Sequence, residues 1–119
     1  MKIIIPISVG ELLDKISILQ IKSQYTDNMY VNKELESLIE IAKDFKVFDF
    51  KYFDQLLEVN QKLWKIEDEL RIHEKSKDFG DAFINLARSV YITNDKRSSI
   101  KKEINQKYNS SYREVKIHK

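Results

Sequence analysis

Polar side chains interrupt two otherwise apolar helical stripes in the second half of the chain. Asn60 and Glu67 fall in the middle of one stripe, while Asn94, Arg97 and Lys101 continue the other at the three-and-four spacing of an amphipathic helix. A glutamate can give or accept a proton, and an arginine beside a lysine can hold an anion. Placed between helices, these residue types would make a small-molecule site.

Folding the chain at Lys77–Asp78 into an antiparallel hairpin would bring these two polar interruptions together. Asn60 would then lie near Arg97, and Glu67 within about a turn of Asn94. Arg97 is one of only four arginines among seventeen lysines, which is typical of a position that needs planar, bidentate geometry. With a basic position from the first helix, the candidate polar cluster comprises Lys15, Asn60, Glu67, Asn94, Arg97 and Lys101.

Two interpretations of this cluster stay open. In the first, which we favour, Glu67 and Arg97 form a buried structural pair bridged by the two asparagines. In the second, Arg97, Lys101 and Lys15 hold an anion in a pocket, and Glu67 acts as an acid or base.

The elements that must position these residues follow from periodicity and caps. A short strand is predicted at Lys2–Ile7 and another at Arg113–His118. Between them the sequence predicts four helices: Val9 to about Tyr25, Val31–Asp44, Phe50–Glu74, and a fourth within Phe79–Lys107. The predicted fold is mainly α, an antiparallel bundle of four helices with a short two-stranded sheet formed by the N- and C-termini. Residues 1–119 form a single domain.

Composition limits the classes of function. The chain has 42% hydrophobic and 34% charged residues, two glycines and one proline, which is typical of a soluble helical protein. It contains no cysteine, which removes disulfides and thiol nucleophiles, and no apolar run of about 20 residues. We therefore expect a cytoplasmic protein without a signal peptide or membrane association. His73 and His118 are not placed for a metal site, and there is no glycine-rich phosphate loop, so no metal or cofactor is predicted.

Charge is unevenly distributed along the chain. The net charge is +2, but Lys96–Lys119 contains eight Lys or Arg against two Glu. This basic end could meet nucleic acid phosphates, yet it lacks interleaved aromatic residues or a recognisable reading helix. We therefore do not favour nucleic acid as a partner, although an accessory role on nucleic acid stays an alternative.

The first helix is apolar on more sides than a thin bundle can cover. Trp64, Phe48, Phe50 and Tyr52 add aromatic surface elsewhere. We therefore expect a two-fold homodimer that buries part of these surfaces.

Three blocks of the sequence resemble an uncharacterised family of small helical proteins, a domain of unknown function found alone or next to sugar-related and repeat domains. They are VGELLDKISILQIK at Val9–Lys22, LWKIEDELR at Leu63–Arg71 and LARSVYITNDKRSSIKKEIN at Leu86–Asn105. The resemblance implies a helical fold and no assigned activity. A weaker likeness, at the level of fold only, is to helical chorismate mutases, which also place Arg, Lys and Glu inside a bundle but with a different spacing of basic residues.

The leading functional hypothesis is a non-enzymatic binding or interaction module with a polar cluster between helices, since no catalytic signature is present. One alternative is a small-molecule enzyme of the mutase or lyase type with an anion pocket at Glu67 and Arg97, for which the ligand would be a small anion. The other is the nucleic-acid accessory protein, acting through the basic C-terminal end.

Overall fold

A computed structural model describes residues 1–117 and consists of four helices joined by short connections. They are α1 (Val9–Ser23), α2 (Met29–Asp44), α3 (Phe50–Ser76) and α4 (Asp81–Lys107). The predicted mainly α, four-helix fold is confirmed.

Side-chain caps fix where the first three helices begin. Ser8 Oγ accepts a hydrogen bond from the Glu11 N–H at 3.1 Å, and Asn28 Oδ1 accepts one from the Tyr30 N–H at 2.8 Å. Asp49 Oδ1 caps α3 in the same way, accepting from the Lys51 N–H at 3.1 Å. Each cap satisfies an amide that has no partner within its own helix, so these short polar residues set the helix boundaries.

Helix α1 lies at the centre of the molecule and contacts each of the other three helices. Its buried residues Leu12, Leu13, Ile16 and Leu19 share one core with residues of α2, α3 and α4. Because its partners lie on several sides, the apolar residues around α1 are covered by other helices of the same chain. The apolar excess of α1 is therefore no longer an argument for a dimer.

Helices α3 and α4 form the predicted antiparallel hairpin. The Nζ of Lys107, at the end of α4, lies 2.7 Å from Oδ2 of Asp49, at the start of α3. Each of these helices has 27 residues and is about 40 Å long, whereas α1 has 15 residues and is about 22 Å long. The hairpin therefore extends well past α1, and the molecule is elongated, with extents of 48 × 37 × 28 Å.

The predicted terminal sheet is wrong, because none of residues 1–117 is in a strand. The segment Lys2–Ile7 has no regular secondary structure and is exposed, and Pro6 cannot donate to a strand ladder. The described part of Arg113–His118 returns along α4 instead, where Glu114 pairs with Lys101 and Lys116 Nζ lies 3.7 Å from Asp95. Ion pairs to α4, rather than strand pairing, hold this segment; His118 lies outside the described residues.

Candidate functional site

A buried aspartate on α1 is the centre of the polar contacts between α1, α3 and α4. Asp14 is only 1% exposed. Its Oδ1 accepts hydrogen bonds from Nδ2 of Asn60 and Nε of Arg97, both at 2.9 Å, and its Oδ2 accepts one from the terminal Nη2 of Arg97. Arg97 therefore binds the carboxylate in a bidentate arrangement with two parallel hydrogen bonds, the strongest geometry for an arginine–carboxylate pair.

Two further hydrogen bonds of this centre are also made within the molecule. Asn60 Nδ2 donates a second bond to Ser17 Oγ at 2.8 Å. The Ser17 hydroxyl in turn donates to the main-chain carbonyl of Asp14 at 2.6 Å. We call Asp14, Ser17, Asn60 and Arg97 the inter-helix network. Because a buried polar group is costly unless it is paired, these hydrogen bonds are what allow an aspartate to lie in the core.

One turn further along α4, the ammonium group of Lys101 lies close to three carboxylates. Its Nζ lies 2.7 Å from Glu11, 3.1 Å from Glu114 and 4.0 Å from Asp14. Burial opposes the charged form of Lys101, but its hydrogen bond to Glu11 and the neighbouring carboxylates outweigh this effect and raise the pKa of Lys101. The hydrogen bonds to Asp14 likewise raise the pKa of Arg97. Both cations therefore stay protonated, and neither is suited to transfer a proton.

Close packing of α1 on α4 holds this arrangement in place. The Gly10 N–H donates to Asn105 Oδ1 at 2.7 Å, and the Val9 N–H donates to Ser110 Oγ at 3.2 Å. A Cβ on Gly10 would lie 2.8 Å from the main-chain oxygen of Lys101, closer than real Cβ contacts allow. Glycine is therefore required here by the close approach of the two backbones.

The structure brings together part of the predicted polar cluster. Asn60, Arg97 and Lys101 meet around Asp14, and Asn94 lies at the edge, with its Oδ1 3.5 Å from Nη1 of Arg97. Glu67 is exposed on α3.

Lys15 also lies apart from this cluster. It points to α2, with its Nζ 3.0 Å from Glu34. Its side chain is about half exposed, so it holds no anion beside Arg97 in this arrangement.

The predicted pairing of Glu67 with Arg97 is therefore replaced by a pairing of Asp14 with Arg97. The reason is that α1 lies against α3 and α4 and carries its own carboxylate to the arginine. The sequence signal for Asp14 was present: it is the acidic residue set between Leu13 and Ile16, in a helix with apolar residues on most sides.

The chemistry open to this site is limited. Both carboxylate oxygens of Asp14 are engaged by strong donors, and the group is shielded from solvent. Within residues 1–117 there is no grouping of three or more metal-binding side chains. In the same part of the chain, no helix combines the length and apolar character needed to cross a membrane.

Fold and site together define a small α-helical protein whose central helix is locked by an ionic network to a longer helical hairpin. Comparison with protein families assigns residues 1–118 to a family of unknown function (DUF6165), and the chain belongs to that family. The predicted membership of an uncharacterised family is thus confirmed. No curated protein and no solved structure matches the chain.

Proposed function

We propose that this protein is a non-enzymatic protein-interaction module and that its polar cluster is structural. The observation that carries the proposal is the internal closure of the inter-helix network. Asp14 accepts three hydrogen bonds from Asn60 and Arg97, so no substrate is needed to satisfy it. Catalytic groups by contrast must face a space that a substrate can enter.

The surface of the molecule favours interaction with other macromolecules. Ile3, Ile4 and Ile5 are 76%, 85% and 67% exposed, and apolar residues are also exposed along the hairpin beyond α1. Monomeric soluble proteins seldom present contiguous apolar patches of this kind unless they bind something. We also propose that the protein is cytoplasmic and forms a homodimer.

An enzyme with an anion pocket is the first alternative. Its residues would be Arg97, whose side chain is 27% exposed, and Lys101. An anion would have to compete with Asp14 for the first and with Glu11 and Glu114 for the second. That competition weakens any such site, and Glu67, which the sequence suggested as the acid or base, is exposed on α3 and has no hydrogen bond or ion pair to Arg97.

A nucleic-acid accessory role is the second alternative. Three lysines in or beyond the last turns of α4 already face carboxylates: Lys101 with Glu11, Lys107 with Asp49, and Lys116 with Asp95. Lysines that are already paired with carboxylates would displace few counterions from nucleic acid phosphates. This end of the chain is therefore poorly suited to bind nucleic acid.

A thermal-shift screen separates these functions. The probes are inorganic phosphate, citrate, glucose 6-phosphate and a short single-stranded DNA, each added to wild type, Arg97→Met and Lys101→Met. A ligand that binds the native state raises its melting temperature in proportion to the logarithm of its excess over the dissociation constant. We expect none of the four probes to shift the wild-type protein.

The outcome that overturns the proposal is a concentration-dependent rise of several degrees in wild type that either variant abolishes. A shift with citrate or a phosphate would establish the anion site. A shift with DNA alone would establish the nucleic-acid function. The supporting outcome is the absence of any shift, together with direct binding between this chain and a second purified protein chain.

A further inference from the structure

The segment that follows α4 has a fixed base at Ser110, which is only 9% exposed. The Ser110 N–H donates to the main-chain oxygen of Asn105 at 2.9 Å, and its hydroxyl oxygen accepts a hydrogen bond from the Val9 N–H at 3.2 Å. The next residues bond back to the same serine. Its hydroxyl donates to the main-chain oxygen of Tyr112 at 2.9 Å, and Nε of Arg113 donates to its main-chain oxygen at 3.1 Å. These bonds set the direction in which the chain leaves α4.

Residues 111–117, which we call the C-terminal strap, run back along α4 without being buried in it. All seven residues are exposed. Glu114 lies 3.1 Å from Nζ of Lys101, and Nζ of Lys116 lies 3.7 Å from Asp95. The strap is therefore antiparallel to α4, and its two ion pairs are separated by six helical residues, or about 9 Å.

The side chains of the strap alternate in what they contact. Glu114 and Lys116 pair with α4, whereas Val115 and Ile117 are 79% and 81% exposed. Apolar burial therefore does little to hold this part of the chain. The ion pairs are the contacts that fix it on the helix.

The charges beneath the strap are balanced without it. Asp14 and Glu11 face Arg97 and Lys101, so two carboxylates meet two cations. Glu114 is a third carboxylate on an ammonium that already lies 2.7 Å from Glu11 and 4.0 Å from Asp14. If Glu114 leaves, Lys101 keeps both of these partners, and no buried charge is left unpaired.

The energies of the two strap pairs are small. The Glu114 side chain is 44% exposed, and those of Lys116 and Asp95 are 33% and 55% exposed. An exposed ion pair changes an equilibrium by about 1.5- to 5-fold. Losing both pairs should therefore lower the ratio of attached to released strap by about 2- to 25-fold.

We propose that the C-terminal strap is a latch that ionic strength releases. Low salt holds residues 114–117 on α4, and high salt frees them while the helices and the inter-helix network stay folded. Release uncovers the side of α4 between Asp95 and Lys101 and turns the strap into a free arm that carries Val115 and Ile117. The inference goes beyond the proposed function, because it concerns a device of the fold and holds whichever partner the protein binds.

Salt distinguishes the strap from the network beneath it. The screening length falls from about 30 Å at 0.01 M salt to about 3 Å at 1 M, and exposed pairs are weakened far more than buried ones. Each strap pair has a carboxylate that is about half exposed. Asp14 is 1% exposed, so its bidentate pair with Arg97 persists at salt concentrations that release the strap.

Paramagnetic broadening in NMR spectra of the full chain tests the latch. The natural chain contains no cysteine, so Val115→Cys accepts a single nitroxide label on an outward-facing side chain of the strap. At about 0.01 M salt the label should broaden the amide signals of Asp95 and Lys101, because the strap lies beside them. At about 1 M salt this broadening should diminish, while the circular dichroism spectrum stays unchanged.

Charge variants identify the contacts that hold the strap. In the labelled protein, Glu114→Gln with Lys116→Gln should show at low salt the weak broadening that the parent shows at high salt. The matched control is Glu103→Gln with Lys102→Gln, the same changes of charge at exposed positions of α4. This control should keep the strong broadening at low salt.

Three results would overturn the inference. Broadening that neither salt nor the strap variant reduces would mean that contacts other than the ion pairs hold the strap. Absence of broadening at low salt would mean that the strap does not lie on α4. A loss of helical signal together with the broadening would mean that the strap is an integral part of the helical fold rather than a latch.

Discussion

Replacing Arg97 with leucine should destabilise the protein severely, because it leaves the buried carboxylate of Asp14 without its main partner. Breaking a buried ion pair from one side costs about 3–5 kcal/mol. Here the lower end applies, since the Arg97 side chain is 27% exposed and Lys101 remains 4.0 Å from Asp14. With a urea dependence of about 1.5 kcal/mol per molar, a loss of about 3 kcal/mol lowers the midpoint of unfolding by about 2 M.

The double variant Asp14→Leu with Arg97→Leu should recover much of this loss. Removing both charges avoids the uncompensated carboxylate, although Asn60 then lacks one acceptor. We expect a coupling energy of at least about 2 kcal/mol between the two substitutions. Arg88→Leu, an exposed arginine of the same helix, is the control and should change stability by less than about 0.5 kcal/mol.

The refuting result is an Arg97→Leu protein whose urea midpoint equals that of wild type. It would mean that Asp14 is not desolvated in solution and that the arginine faces a water-filled space. The anion pocket would then be the better interpretation of the polar cluster.

Three further predictions concern stability. Gly10→Ala should cost about 1–3 kcal/mol in thermal unfolding, because its methyl group meets the α4 backbone, whereas Gly80→Ala, with its nearest neighbouring atom at 3.5 Å, should have little effect. Thr93→Val should stabilise the protein by about 1 kcal/mol, since the Thr93 hydroxyl is buried without a hydrogen-bond partner. Hydrogen bonding from Lys107 lowers the pKa of Asp49 from 3.8 to about 2. The contribution of the Asp49 carboxylate to stability is therefore present above about pH 4 and is lost as the pH falls toward 2. The difference in unfolding free energy between wild type and Asp49→Asn should shrink over that range.

The helices could be predicted from the sequence because their signals are local. Ser8 and Asp49 cap α1 and α3, and α4 ends at Lys107, where its predicted range also ends. Local signals do not decide strand pairing. The isoleucines before Pro6 have strand propensity, but a strand needs a partner, and the C-terminal segment is held instead by its ion pairs to α4.

The candidate site could be predicted only in part, for a related reason. Asn60, Arg97 and Lys101 interrupt apolar stripes, so their inward position follows from periodicity. Which carboxylate reaches Arg97 depends on how three helices are arranged in space. If only α3 and α4 are considered, Glu67 is the predicted partner of Arg97. When α1 is placed beside them, the partner is Asp14. The spacing within a single helix does not distinguish these two pairings.

The most direct test of the central claim, that Arg97 is committed to Asp14 rather than available to a ligand, is the NMR signal of its side-chain Nε–H. An Nε–H bonded to a carboxylate that is 1% exposed should exchange slowly with water, and its signal should not move when phosphate or citrate is added. The signal is assigned by its absence in Arg97→Lys, and the exposed Arg71 and Arg88 provide fast-exchanging references in the same spectrum. We predict one protected, anion-insensitive signal from Arg97. A signal that exchanges as fast as those of Arg71 and Arg88, or that shifts progressively with added anion, would contradict the account.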